Sequence, residues 1–184
     1  MTYDAVTVPT PFGTFTAIAE GGTVVGSGFT AGADELRDRL PEPRAEIRVR
    51  VELGEISSAL DAYFTGADVT ALEQLPVRME GSPAMLRLWD ELRRIPAGEV
   101  RSYAQLGGDR RHARAAGSAC ARNPIPLIVP CHRVVRTDGS LGGFGWGLPL
   151  KQWLLDHEAA ARGPRSSVTE FFPRWRLSTM RRTP

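Results

Sequence analysis

The stretch 125-IPLIVPCHRVV-135 decides how this chain is read. Ile125, Leu127, Ile128 and Val129 form an apolar run short enough for a buried strand, and Pro124, Pro126 and Pro130 oppose a helix there. Pro130 stops that strand and turns the chain, which sets Cys131 at the edge of the core. A cysteine so placed is ordinarily a small hydrophobe. Here His132 and Arg133 follow directly, and a nearby base or cation favours the thiolate over the thiol. Cys131 and His132 are therefore a candidate nucleophile and base.

Composition narrows the setting. With 184 residues the chain can bury one good core or two small ones. No apolar run is long enough to span a membrane, and MTYDAVTVPTPFGTF lacks the basic segment and apolar core of a secretory signal. Cys120 and Cys131 are too few for a disulfide framework or a cysteine-rich zinc site, so no metal and no cofactor are expected. A cytoplasmic, reducing location follows, as a nucleophilic thiol requires. Of the 23 basic residues only Lys151 is a lysine, a bias of composition more than of function. Charge is uneven: residues 1–80 hold 6 basic and 13 acidic side chains, residues 81–184 hold 17 and 8. That asymmetry fits two parts, of which only the second faces a polyanion, although a solvated arginine-rich surface reads the same way.

Taken in order, Thr7 to Thr30 is strand and turn material, punctuated by Pro11, Gly13 and Gly21-Gly22. Ala33 to Leu40 reads as a short helix stopped by Pro41 and Pro43. Ile47, Val49 and Val51 alternate with arginines like a half-buried strand, and Ile56 to Phe64 reads as a helix ending at Gly66. A linker is expected from Ala67 to Gly81. Ser82 can cap and Pro83 can open a helix whose stripe is Met85, Leu88, Trp89, Leu92 and Ile95. A short helix over Ser102–Leu106, a turn at Gly107-Gly108-Asp109 and a small-residue helix over Arg110–Ala121 have the shape of a helix-turn-helix. Ala113, Ala115, Ala116, Gly117, Ser118 and Ala119 let that helix lie close to another surface. Arg110, Arg111, Arg114 and Arg122 supply charge for phosphates. Leu141 to Gly147 is a glycine-rich loop with two aromatics; lacking the lysine and hydroxyl of a P-loop, it is not a phosphate cradle. Lys151 to Glu158 reads as a helix. The tail, 161–184, is expected to be loosely attached, with Phe171, Phe172, Trp175 and Leu177 docking part of it.

From about Ser82 to Glu158 the chain resembles the O6-alkylguanine-DNA alkyltransferases. The resemblance rests on the I-P-x-G-E turn at Ile95–Glu99, the pair Ser102-Tyr103 and ARAAG at Ala113–Gly117. It continues through NPIP at Asn123–Pro126, PCHRVV at Pro130–Val135 and K-x-W-L-L-x-H-E at Lys151–Glu158. It implies an α/β (α+β) chain: a small N-terminal α/β domain over 1–75, then a mainly helical catalytic domain with a helix-turn-helix over 82–160. It also implies that Glu158 orients His132, which takes the Cys131 proton through a water, and that the thiolate removes the alkyl group from guanine O6 once only. O4-alkylthymine is implied as a second lesion. The partner is double-stranded DNA containing O6-alkylguanine, met by a monomer, with the damaged base flipped out. Arg114 fills the vacated stack, with Ala115 and Gly117 on the same DNA face. Tyr103 donates to the leaving guanine, and Asn123 ties the turn under the cysteine. Cys120, Val134, Phe144, Gly145 and Trp146 line the pocket, where backbone carbonyls read the base.

The chain departs from the family pattern in places. Phe144 replaces a common tyrosine, Ala84 and Met85 replace an aromatic and a glutamine, and Cys120 replaces an apolar residue. The stretch from Tyr103 to Arg114 is shorter than usual. Two other classes stay open: an alkyltransferase-like lesion sensor with weak or no turnover, a kind that lacks the cysteine, and a thiol enzyme acting on small molecules, which would need a route to regenerate Cys131.

Overall fold

Alternation in the first thirty residues gives a meander. β1 (Thr2–Thr10), β2 (Gly13–Glu20) and β3 (Thr23–Gly28) pair antiparallel in sequence, and β4 (Glu46–Val49) joins β1 in parallel, for the order β3-β2-β1-β4. Gly21 and Gly22 turn the second hairpin with φ of 55° and 82°, a region that glycine enters without a Cβ clash. The structure, a computed structural model, describes residues 1–162, so the aromatic residues of the tail lie outside the described residues.

The short helix expected before Pro41 forms as a 3-10 helix over Ala33–Arg39, burying Ala33 and Leu36. One expectation fails in this half. The alternation over Ile47, Val49 and Val51 does not make a half-buried strand: β4 is an edge strand of four residues, only Ile47 is half-buried, and Val49 and Val51 are 76% and 99% exposed. α1 (Glu55–Thr65) forms as its spacing predicts, placing Ile56, Leu60 and Tyr63 on the sheet and ending at left-handed Gly66.

The stretch expected to be a linker is built into the body. Val69, Leu72 and Leu75 are buried around a 3-10 turn at Ala71–Gln74. Backbone bonds Val24 N to Pro76 O (2.9 Å) and Arg78 N to Val24 O (2.9 Å) stitch it to β3. One apolar cluster therefore runs from Val6 and Phe15 through Leu60 to Leu92 and Leu154.

α2 (Pro83–Arg93) is capped by Ser82 and buries Trp89 and Leu92; the Trp89 indole N–H donates to Ala119 O at 2.9 Å. β5 (Arg101–Ser102) leads into α3 (Tyr103–Gly107), which opens with a reciprocal cap between Ser102 and Gln105. α4 (Ala113–Ala121) starts three residues later than expected, leaving Arg110 and Arg111 in the turn, where Asp109 binds the His112 backbone and ring. That turn is short enough that a Cβ on Gly107 would come within 2.8 Å of the His112 backbone. β6 (Val134–Val135) pairs parallel with β5, and α5 (Leu148–Ala161) overruns the predicted helix at both ends. No helix among the described residues is long and apolar enough to cross a membrane.

The apolar run 125–129 is not a strand. It doubles back, with Val129 N on Ile125 O at 2.8 Å and Leu127 at a φ of 74°. Every residue of the run is buried, so its hydrophobicity carried no period to separate a strand from a packed turn. The Asn123 side chain closes the turn, accepting from Ile125 N (3.0 Å) and donating to Val129 O (2.7 Å). β3 holds it from outside: Ser27 donates from its N–H to Pro124 O and from its hydroxyl to Pro126 O.

Candidate active site

The doubled turn delivers Pro130 and then a 3-10 turn, Cys131–Arg133, at the base of a cavity of about 800 Å³. Cys131, Asn123, Tyr103, Arg114, Gly117, Cys120, Phe144, Gly145 and Trp146 all border this space. Val134 does not. Its carbonyl, expected to read a base, accepts from the Lys151 ammonium at 2.6 Å. Arg110, Arg111, Ala115 and Arg122 are exposed outside the cavity, with Ala115 on the same helix as Arg114.

Behind Cys131 the polar groups converge on one carboxylate. His132 and Glu158 are both fully buried, with Nε2 of the ring 2.8 Å from Oε1. An ionised carboxylate can only accept, so Nε2 carries the proton and Nδ1 is the basic nitrogen. Nδ1 makes no hydrogen bond with the described protein groups. Arg133 clasps the same carboxylate, Nε to Oε2 at 3.0 Å and Nη2 to Oε1 at 2.9 Å, and Gly98 N–H adds a bond to Oε2 at 3.0 Å. Tyr63 donates its hydroxyl to Oε1 at 2.9 Å. Burial by itself would raise Glu158, but His132 and Arg133 outweigh it and hold the carboxyl well below the usual range.

Arg133 is thus committed to carboxylates, with Glu73 on its other nitrogen at 3.0 Å, and is not the cation that activates the thiol. Burial pushes the Cys131 thiol up, against the pull of the Asn123 amide, Lys151 and Arg39. The resting site therefore holds a neutral thiol beside a neutral imidazole, since burial also pushes His132 down despite Glu158. Burial raises the Tyr103 phenol to about 12, which keeps its proton available to a leaving group. Burial pushes the Cys120 thiol up as well.

Four residues of the site escaped the sequence reading. Lys151 holds the carbonyls of Val134, Leu141 and Gly143 from a fully buried position, and burial lowers its pKa to about 8. Its signal was being the sole lysine of the chain. Tyr63 read as one more apolar face residue, although a buried phenol needs a partner. Glu73 and Arg39 carried no signal: Glu73 is brought to Arg133, and the Arg39 guanidinium sits 5.4 Å from the Trp146 ring centre at the cavity wall. The Trp146 ring meets Phe29 (5.9 Å) and Phe144 (5.6 Å) edge-on, so it packs toward the N-terminal sheet while still bordering the cavity.

Residues 83–160 match the family model described as 6-O-methylguanine DNA methyltransferase, DNA binding domain. A methylated-DNA–protein-cysteine methyltransferase of Shigella flexneri is 41% identical over 108 residues, 57% of this chain and 63% of that protein. The human protein of the same name is 36% identical over 144 residues, 73% of this chain and 68% of that one. Among solved structures, Mycobacterium tuberculosis OGT in complex with DNA superposes with a TM-score of 0.70 at 29% identity, covering 86% of this chain and 94% of that one. The aligned part of this chain spans a little under two thirds of the length of the Shigella flexneri and Salmonella typhimurium proteins it matches.

Proposed function

This chain belongs to the methylated-DNA–protein-cysteine methyltransferase family, and from that premise we propose that it repairs DNA by moving an alkyl group from guanine O6 onto Cys131, once per molecule. The observation that carries this reading is the buried thiol at the base of an open cavity, backed by the His132–Glu158 pair with Nδ1 left free to take a proton. Double-stranded DNA is the partner, bound through α4 and the turn before it by a monomer in the cytoplasm, with O4-alkylthymine as a further lesion. Residues 82–160 carry the chemistry and residues 1–75 form the companion domain.

The chemistry balances with the groups present. The Cys131 proton passes through a water to Nδ1 of His132, whose imidazolium is met by Glu158. The sulfur attacks the alkyl carbon in line, forming the S–C bond as the C–O6 bond breaks. Tyr103 donates to the departing guanine, and in the net reaction the thiol proton replaces the alkyl group on the base. A neutral resting thiol suits a protein that can react only once, because it is not spent on stray electrophiles. A duplex base cannot reach this cavity without leaving the stack, and the position of Arg114 at the cavity rim supports a role in filling the gap.

Intact mass before and after mixing with an O6-methylguanine duplex tests this. One methyl group is expected per protein, mapped to Cys131, and none on Cys131→Ser. Repeated turnover, or methylation at Cys120, would overturn the mechanism.

A further inference from the structure

Tyr63 stands on α1, far in sequence from every group of the thiol chemistry, yet it holds two consecutive residues of α5. Its hydroxyl donates to Glu158 Oε1 at 2.9 Å, and its carbonyl accepts from Nε2 of His157 at 2.6 Å. Oε1 is the oxygen that His132 also uses, at 2.8 Å. We infer that Tyr63 is a positioning residue that sets the basicity of His132, its hydroxyl drawing charge away from the one carboxylate oxygen the two share. The inference rests on the reading of Cys131 and His132 as the reacting pair and adds a residue outside the matched segment 83–160 to it.

Orientation alone does not need this hydroxyl. Arg133 spans both oxygens of Glu158 and Gly98 N–H adds a third direction, so the carboxylate stays in place without Tyr63. Nor does the tyrosine need the carboxylate to stay put: its ring is wedged edge-on between Phe64 (5.4 Å) and His157 (5.3 Å), and its carbonyl is bonded. What the hydroxyl changes is charge. A buried carboxylate oxygen that gives part of its charge to a phenol has less left to stabilise an imidazolium.

The other groups around His132 fix the sign. On its own turn stand Cys131 and Arg133; α5 contributes Lys151 and Glu158; the 3-10 turn at Ala71–Gln74 contributes Glu73, which reaches Arg133. The cations Arg133 and Lys151 disfavour the imidazolium, Glu158 favours it, and Tyr63 weakens Glu158. With the hydroxyl removed, His132 should hold its proton to higher pH, and the base should become available later on an alkaline titration.

The test follows the reactivity of Cys131 toward iodoacetamide as a function of pH, by peptide mapping that separates Cys131 from Cys120. In that reaction the sulfur–carbon bond forms as carbon–iodine breaks; iodide leaves, and the thiol proton goes to His132 and on to solvent. In Tyr63→Phe the acid limb is expected to move up by about 0.5 pH unit, about threefold slower reaction at a given pH on that limb, with the plateau retained. Replacing Tyr63 by 3-fluorotyrosine keeps the packing and strengthens the donor, so the limb should move down; this second variant decides the matter if the phenylalanine protein folds poorly. Superimposed profiles, or shifts of the opposite sign, overturn the inference. If no alkyl group is accepted from an O6-alkylguanine duplex while the iodoacetamide profiles shift as stated, the proposed function falls and the role of Tyr63 stands. If alkyl transfer occurs and the profiles do not move, the function stands and the role of Tyr63 falls.

Discussion

The ammonium of Lys151 lies 2.6 Å from the carbonyl oxygen of Val134, in a fully buried position that also reaches the carbonyls of Leu141 and Gly143. One side chain on α5 thereby ties β6 to the glycine-rich loop and keeps the chain on both sides of the cavity in register. Lys151→Met removes the donor and leaves the buried Val134 carbonyl unpaired. The expected loss is about 1–3 kcal/mol in urea unfolding at neutral pH. The pH dependence has a definite sign. Burial lowers this lysine from 10.5 to about 8 in the folded protein. Between those values the unfolded chain binds more protons than the folded one, so stability rises with pH. The wild type is therefore expected to gain on Lys151→Met as pH climbs from about 8 toward 10.5; a constant gap across that window would show that the ammonium carries no burial penalty.

Glu158 has the opposite linkage. Its folded pKa is held well below 4.5, so it contributes stability above 4.5 that is lost as pH falls toward the folded value. Glu158→Gln leaves buried Arg133 with Glu73 as its remaining carboxylate, at a cost of about 3 kcal/mol near neutrality. Because glutamine does not titrate, the gap between the two proteins should narrow steadily below pH 4.5. Urea midpoints taken from pH 7 to pH 3 give the comparison. Alkyl transfer should fall as well, since the amide offers no charge to the His132 imidazolium.

What could be read from the sequence had a local cause. The Ser82 cap, the stripe on α2 and the stop at Gly66 each follow from bonds made within a few residues, and each formed. The order of PCHRV and Glu158 named the candidate reacting groups because they share motifs with known spacing. Long-range relations were not readable. Tyr63 and Glu73 reach the Glu158 and Arg133 cluster across an interval of 60 residues or more, and nothing in α1 or the turn after it distinguishes a phenol or carboxylate with a distant partner. The apolar run 125–129 was misread because complete burial erases periodicity. Its actual course depends on the Asn123 amide and on Ser27 of β3.

Arg114 gives a test of base extrusion. It is exposed on α4 and borders the cavity that holds Cys131, so it can act at the DNA surface without supporting the core. Arg114→Ala is expected to slow repair of a duplex O6-methylguanine strongly, by about tenfold or more if it offsets even part of the unstacking cost. Reaction with free O6-benzylguanine base should change by much less, because nothing has to be extruded. Equal losses on both substrates would make Arg114 a structural residue.

Trp146 is expected to limit the size of the group that can enter. Its ring borders the cavity yet is held from the outside: Phe29 and Phe144 meet it edge-on, and the Arg39 guanidinium lies 5.4 Å from its centre. On the β3 side there is no slack, since a Cβ on Gly28 would come within 3.0 Å of the indole. The indole therefore cannot retreat toward the sheet, and a bulky O6 substituent has to displace the loop that carries it. Trp146→Gly is expected to raise the benzyl-to-methyl ratio of single-turnover rates while leaving the methyl rate close to wild type. Arg39→Ala should move the ratio the same way by less, about two- to fivefold, because it removes only a cation–π contact worth about 0.5–1 kcal/mol at an exposed site. Arg39→Lys should fall between, keeping the charge but not the flat guanidinium that covers the ring. An unchanged ratio in Trp146→Gly would place the indole away from the substituent, whatever Arg39 does. A change in Arg39→Ala that matches the tryptophan variant in full would instead make the arginine, and not the indole, the barrier.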